Sequence, residues 1–223
     1  NHNKYFLKGC LIDAPPVVTD LGVDIDLDLK YDGHINKIVG KAYSRVGMIF
    51  KGFASRSVQV LKKAFVAYVR PVLEYASNVW SPHVLKHSNA IERVQKHFTK
   101  RIASLSNLSY PERLAAIDLE PLEVRRLKAD LVLYYKCLND LVALPGNDCF
   151  QQSQHTSQTG TGGNRLIRPF CSTNRFENDF FNRCITCWNS LPPNVINATS
   201  INIFKRHLSN VDLSAFTHCN YFK

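Results

Sequence analysis

Arg93, Lys96, His97, Lys100 and Arg101 recur at positions i, i+3, i+4, i+7 and i+8. On a helix that spacing stacks the side chains into one stripe about two turns long. A cationic stripe of this kind can grip phosphates by charge and by hydrogen bonding. The plain alternative is a solvated helix face, and the surrounding composition weighs against it. Between Lys37 and Arg101 the chain places 13 Lys and Arg against two acids, Glu74 and Glu92, a local charge of +11. The whole chain of 223 residues carries +10, so the remainder is close to neutral. Charge concentrated in this way on a folded domain usually faces a polyanion. Lys37, Lys41, Arg45, Lys62 and Lys63 are therefore supporting candidates for nucleic-acid binding. Arg70, just before Pro71, is expected to contact a phosphate or to cap carbonyls at a helix break. Glu74 is expected to pair with a nearby Arg or Lys.

Other chemistry-bearing residues form weaker patterns. Tyr68, Tyr75 and Trp80 could stack on bases or sugars, but aromatics at this spacing more often build core, and core is the expectation. Cys184 and Cys187 have zinc-compatible spacing, with His207 and Cys219 downstream. A tetrahedral site needs two convergent pairs, and that second pair is 12 residues apart. Both thiols also fall in an apolar helical pattern with Phe180, Phe181 and Trp188, where small hydrophobes fit; no metal is expected. Asp24, Asp26 and Asp28 alternate along one strand face and read as solvated. The Gly160–Gly163 segment lacks the Lys-Ser/Thr and the preceding strand of a phosphate loop. No nucleophile and base can be paired from spacing, so no catalytic residue is assigned. The seven cysteines form no compact disulfide framework, which makes reduced thiols, and a cytoplasmic or nuclear setting, the default. No run of about 18 apolar residues suggests a membrane span, and no signal-peptide core follows Asn1.

Helices must position the basic residues. A composition of 45% hydrophobic and 11% aromatic residues is ordinary for a folded chain, with room for one large or two small domains. Val23 to Leu29 alternate apolar and polar, which predicts a half-buried strand. Pro15 and Pro16 suggest a turn before it, and Gly22 a bulge or a close approach of another backbone. Ile35, Ile38, Val39, Ala42, Val46, Ile49, Phe50 and Phe53 change the period to three and four, an amphipathic helix over 32–53 with a basic outer side. Ser57 is a plausible N-cap for a helix from Val58 to about Val69, which Pro71 should end or kink; Val72–Val79 then resumes briefly. Residues 87–105 give the cleanest two-sided helix. Ser109, Pro111 and Glu112 mark a capped start of a short helix to about Ile117. Pro121 opens a longer one to about Leu141. From 144 to 165 the composition turns to Gly, Ser, Thr and Gln, a flexible linker. Phe176–Trp188 and Ile201–Leu208 then return to helix.

Three pieces of the chain resemble one family. Asp20-Leu-Gly-Val23 is followed by His34-Ile35. Tyr68-Val-Arg-Pro-Val-Leu-Glu-Tyr-Ala-Ser-Asn-Val-Trp-Ser-Pro82 is continued by Ile91-Glu-Arg-Val-Gln-Lys96 and Ser109-Tyr-Pro-Glu-Arg-Leu114. Trp188-Asn-Ser-Leu-Pro-Pro-Asn-Val-Ile196 leads on to Phe204-Lys205. In this order, across most of 20–208, they are similar to the region after the polymerase core in non-LTR (LINE-type, jockey-like) retrotransposon reverse transcriptases. The resemblance implies a hairpin ending the palm over 1–30, with Leu21, Gly22 and Val23 acting as a primer grip. It implies a thumb-like basic helical bundle over 31–143 and a C-terminal helical segment over 166–223 after the linker. The implied partners are an RNA template, a DNA primer and the parent protein's upstream palm and fingers. The family's Mg²⁺ is held by an Asp-Asp pair in a Tyr/Phe-Ala-Asp-Asp motif. No Asp-Asp pair occurs here, so this chain alone is expected not to polymerise.

The expected fold is mostly α: a short N-terminal β-hairpin, a basic helical bundle and a small helical C-terminal piece. With its one methionine at Met48, the chain reads as a fragment of an RNA-directed DNA polymerase. The alternative is a degenerate or host-adopted helical domain that binds other proteins.

Overall fold

Short strands come first and helices follow, in a computed structural model that describes residues 5–7, 10–12, 15–144, 150 and 165–217. β1 (Tyr5–Leu7) pairs antiparallel with β2 (Cys10–Ile12). β3 (Val17–Asp20) pairs antiparallel with β4 (Val23–Asp26), Asp20 lying opposite Val23. The intervening Leu21 and Gly22 have φ of 44° and 85°. Two positive values in a row make the primed turn whose twist matches that of paired strands. Gly22 is thus the turn itself, where the sequence suggested a bulge or a close approach of another backbone. The alternation expected to reach Leu29 stops at Asp26. Its carboxylate accepts from the backbone N–H of Lys30 (2.9 Å) and Tyr31 (2.8 Å), bending the chain into the first helix.

α1 (Asp32–Gly52) buries Ile35, Ile38, Ala42, Val46 and Ile49, as their spacing predicts. α2 (Val58–Ala64) does not end before Pro71. It widens into a π-turn, Phe65–Val69, closed by the Arg70 N–H on the Phe65 carbonyl, and continues as α3 (Arg70–Glu74). A π-turn gives room for a ring that would clash in a regular helix and absorbs the missing donor. The break comes later, at Tyr75 and Ala76, where Ala76 has a φ of 53°. The short α4 (Ser77–Trp80) follows.

The helix expected over 87–105 ends earlier: α5 spans Leu85–Lys100, Ile102 is extended, and a 3₁₀ turn follows at Ala103–Leu105, so Ile102 and Leu105 reach the core from outside the helix. α6 (Tyr110–Ile117) starts with the predicted capping box, the Ser109 N–H donating to Glu112 at 2.7 Å. α7 spans Leu122–Leu138. The single helix expected over 176–188 is three: α8 (Asn174–Glu177), α9 (Phe180–Arg183) and α10 (Ile185–Ser190). Thr173 and Asp179 each accept from the backbone N–H three residues on, at 3.2 and 2.9 Å, so each starts a new helix. α11 (Pro193–Ile196) and α12 (Ile201–Ser209) complete the order.

One core joins α1, α2, α5 and α6 through Val46, Leu61, Phe65, Ile91, Phe98 and Leu114. A second joins the later half of α7, from Leu131, to Trp188, Phe204 and Leu208. There the Tyr134 hydroxyl donates to the carbonyls of Phe180 (2.9 Å) and Phe181 (2.7 Å), and that of Tyr135 to Ala198 (2.8 Å). α7 therefore belongs to both cores, Leu122 sitting in the first. The linker expected over 144–165 lies outside the described residues except Leu144, Phe150 and Arg165; the Phe150 ring packs 4.7 Å from that of Tyr134. The mostly helical fold with an N-terminal hairpin and helices in its last quarter is the one the sequence predicts. Among the described residues no helix is long and apolar enough to cross a membrane.

Candidate nucleic-acid interface

α5 turns Ile91, Glu92, Val94, Gln95, Phe98 and Thr99 inward. That leaves Arg93, His97 and Lys100 pointing outward and exposed, with Lys96 half-buried on one flank and Arg101 exposed on the other. The flanks are anchored on aromatic rings. The Lys96 ammonium lies 5.0 Å from the centre of the Tyr110 ring, and the Arg101 guanidinium 4.2 Å from that of Phe50. Lys100 donates to the Ser106 carbonyl at 2.6 Å. Such contacts hold the apolar stems while the charge stays at the surface, so less side-chain entropy remains to be lost on binding.

The two acids of the basic block are withdrawn from this surface. Glu92 is fully buried and accepts from the Tyr110 hydroxyl and from the Leu122 N–H at 2.9 Å. Burial pushes its carboxyl above the ordinary range. Glu74 is clamped by Arg125, which reaches it through Nε and, at 3.1 Å, through Nη2. Glu92 lies within electrostatic reach of the half-buried Lys96, while Arg93, His97, Lys100 and Arg101 are exposed at the surface.

The supporting cations divide among other faces. Lys37 pairs with Asp24 at 2.8 Å, a hydrogen bond that holds the Asp24 carboxyl below its ordinary value. Arg45 donates to the Tyr68 carbonyl at 2.6 Å in the π-turn, and the exposed Lys41 stands between the two in the same row of α1. On the opposite edge of α1, the Tyr43 ring meets that of His97 at 5.4 Å. The α1 row and the α5 stripe thus flank α1 on different sides. Lys62 pairs with Asp118 at 3.3 Å and Arg70 with Glu74 at 3.8 Å, both facing α6 and α7; Lys63 is exposed.

The hairpin turn is bound to the Tyr68–Pro82 segment. The Tyr75 hydroxyl donates to the Leu21 carbonyl at 2.9 Å, and the Trp80 indole N–H to the Tyr75 carbonyl at 2.8 Å. Leu21 is 83% exposed while Val23 is buried. The His34 ring lies 5.5 Å from Trp80, and its Nδ1 accepts from the Asp24 N–H at 3.2 Å. Burial holds this imidazole below its ordinary pKa. Trp80 is core as expected, but Tyr68 and Tyr75 are 56% and 59% exposed. The break after Glu74 and the π-turn rotate them out of the stripe that their spacing implied.

Sequence reasoning missed Asp130 and Arg183. Asp130 sits on the apolar stripe of α7 between Leu127 and Tyr134, and a lone acid at a core position was the available signal. Its carboxylate accepts from Arg183 and from the Asn78 amide at 2.8 Å. The Cys184 thiol lies 3.6 Å from it. Burial pushes the Cys184 thiol well up and that of Cys187 to about 12, so both stay protonated in the second core. Among the described residues no group of three or more His, Cys, Asp or Glu is arranged to hold a metal ion.

No protein-family model matches the chain, and no solved structure matches it. An uncharacterized protein of Caenorhabditis elegans, B0403.1, is 24% identical over 139 residues, which span 61% of this chain and 70% of that protein.

Proposed function

We propose that this chain is the post-palm, thumb-bearing part of a non-LTR retrotransposon reverse transcriptase, holding an RNA template paired with a DNA primer by their backbones. The observation that supports it best is the α5 stripe: Arg93, Lys96, His97 and Lys100 on one helix and Arg101 at its C-cap, with Glu92 and Glu74 drawn away from its surface. Lysines and arginines release counterions from phosphates, which gives affinity without base readout. A hybrid close to A-form is held by shape and backbone in the same way. The contact between Leu21 and Tyr75 ties the primer-grip-like turn to the thumb-like segment. In this reading polymerisation, with its Mg²⁺, belongs to the parent protein's palm, and the work is done in cytoplasm and nucleus.

Amide hydrogen exchange with and without a blunt RNA/DNA hybrid tests it. Protection is expected on α5 from Arg93 to Arg101. Saturating hybrid that leaves α5 exchange unchanged contradicts it.

A second reading, a host-adopted protein-interaction domain, is favoured by β3. Its only strand partner among the described residues is β4, all four of its residues are exposed, and such an edge can accept another strand. A protein partner would protect β3 and leave α5 unchanged.

A further inference from the structure

We propose that the cleft between α7 and α12 is a second nucleic-acid site, one that takes an extended single strand. It rests on the nucleic-acid reading above but uses a different surface. The cleft has a volume of about 760 Å³. Arg125, Lys128 and Lys136 line it along α7, Arg70 lies on one wall and Lys205 on the other. Val132, Leu133 and Leu208 supply apolar surface between these cations.

Charge selects the ligand. Two carboxylates, Asp118 and Glu120, line the cleft against five cations. Asp118 is already paired with Lys62, and Glu120 is shared between Lys128 and, at 3.9 Å, Arg125. Glu74 further holds both Arg125 and, at 3.8 Å, Arg70. Among the described residues no carboxylate pairs with Lys136 or Lys205, which leaves both ammonium groups for an incoming anion. Burial first, and then the neighbouring Arg125, make the Arg70 guanidinium less basic than usual, with Glu74 and Glu120 pulling the other way.

The apolar floor selects a single strand. From Arg125 to Lys136 the cleft follows α7 for about 16 Å at 1.5 Å per residue. A duplex stacks its bases inside and turns its backbone outward, so the apolar surface between the cations gains little from it, whereas a single strand presents phosphates and bare bases together. An extended polyanion fits, with its phosphates on the cations and its sugars and bases against Val132 and Leu133. The α5 stripe is open to solvent and can meet a duplex. The two surfaces therefore divide paired from unpaired nucleic acid.

Photo-crosslinking tests this. The full chain is irradiated with a single-stranded RNA carrying 4-thiouridine, and crosslinked peptides are mapped by mass spectrometry. Affinities for the same RNA and for a blunt RNA/DNA hybrid are measured beside it, for the wild type and for Lys136→Glu/Lys205→Glu. Crosslinks are expected within 122–138 and 201–209. The variant should bind the single strand at least tenfold more weakly and the hybrid within twofold of wild type. Crosslinks confined to α1 or α5, or equal losses for both nucleic acids, overturn the cleft site while leaving hybrid binding intact as a finding. Hybrid binding absent from the wild type, with single-strand binding kept, overturns the duplex reading and not the cleft. A poly-glutamate peptide that displaces the RNA at matched charge concentration also overturns the proposal, because the cleft then reads negative charge alone.

Discussion

Asp130 on α7 accepts two hydrogen bonds from Arg183 on α9, from Nε at 3.0 Å and from Nη2 at 2.8 Å. Arg183 also donates to the Asn78 carbonyl at 2.8 Å, so one ion pair joins α4, α7 and the C-terminal helices. The Asp130 side chain is only 3% exposed. Removing one member of a buried pair strands the other charge and costs about 3–5 kcal/mol. Asp130→Ala should lose that much in urea unfolding followed by tryptophan fluorescence. Asp130→Leu/Arg183→Met should keep more stability than Asp130→Ala, since no charge is stranded. A loss under about 1 kcal/mol for Asp130→Ala would show that the pair is a surface-like contact.

Gly22 has a φ of 85°, and the atom nearest to an added Cβ is Tyr75 Cε1 at 3.9 Å, an ordinary contact. The cost of Gly22→Ala is therefore a backbone cost, about 1–2 kcal/mol for a left-handed residue. Gly40 gives the opposite sign. It lies inside α1 with nothing within 4 Å of an added Cβ, so Gly40→Ala should stabilise by about 1 kcal/mol. Thermal unfolding of the two variants checks both signs, and a destabilising Gly40→Ala would contradict the open space at that position.

The His34 imidazole accepts the Asp24 N–H through Nδ1, which requires that nitrogen to be unprotonated. Burial lowers its pKa below the ordinary 6.5, outweighing the pull of Asp24 in the other direction. A depressed folded pKa means that the unfolded chain takes up the proton first. The contribution of His34 is thus complete above about pH 6.5 and is lost as pH falls toward the folded value. His34→Asn keeps an acceptor and cannot titrate. Melting temperatures between pH 7.5 and 5 should fall more steeply for wild type than for His34→Asn. Parallel slopes would remove His34 from the acid response.

What was legible in the sequence was local. The α1 and α5 stripes and the Ser109–Glu112 capping box depend on residues within a few turns of one another, and each forms where its spacing places it. Pro71 misled because a π-turn can absorb a proline, and the bonds that allow this are set by the fold around it. Asp179 misled because its N-cap interrupts an unbroken apolar pattern. Of the candidate cations, the α5 row was readable as one surface. The sequence could not place the α1 row on a separate face, because that depends on Lys37 reaching Asp24 and Arg45 reaching Tyr68. Nor could it bring Lys136 and Lys205 to one cleft, or join Asp130 to Arg183, since those pairs meet only through tertiary packing.

The proposed phosphate grip of α5 is tested most directly by the salt dependence of hybrid binding. The affinity of the purified chain for an RNA/DNA hybrid would be measured across a salt series, beside Arg93→Gln/Lys96→Gln/Lys100→Gln/Arg101→Gln. Each phosphate contact contributes about 0.9 to the slope of log affinity against log salt on a B-form duplex. The wild type should bind with a steep negative slope, and the variant should be weaker at low salt with a slope shallower by up to about 3.6. Equal slopes for the two proteins, or no binding at low salt by the folded wild type, would contradict α5 as a backbone-binding surface.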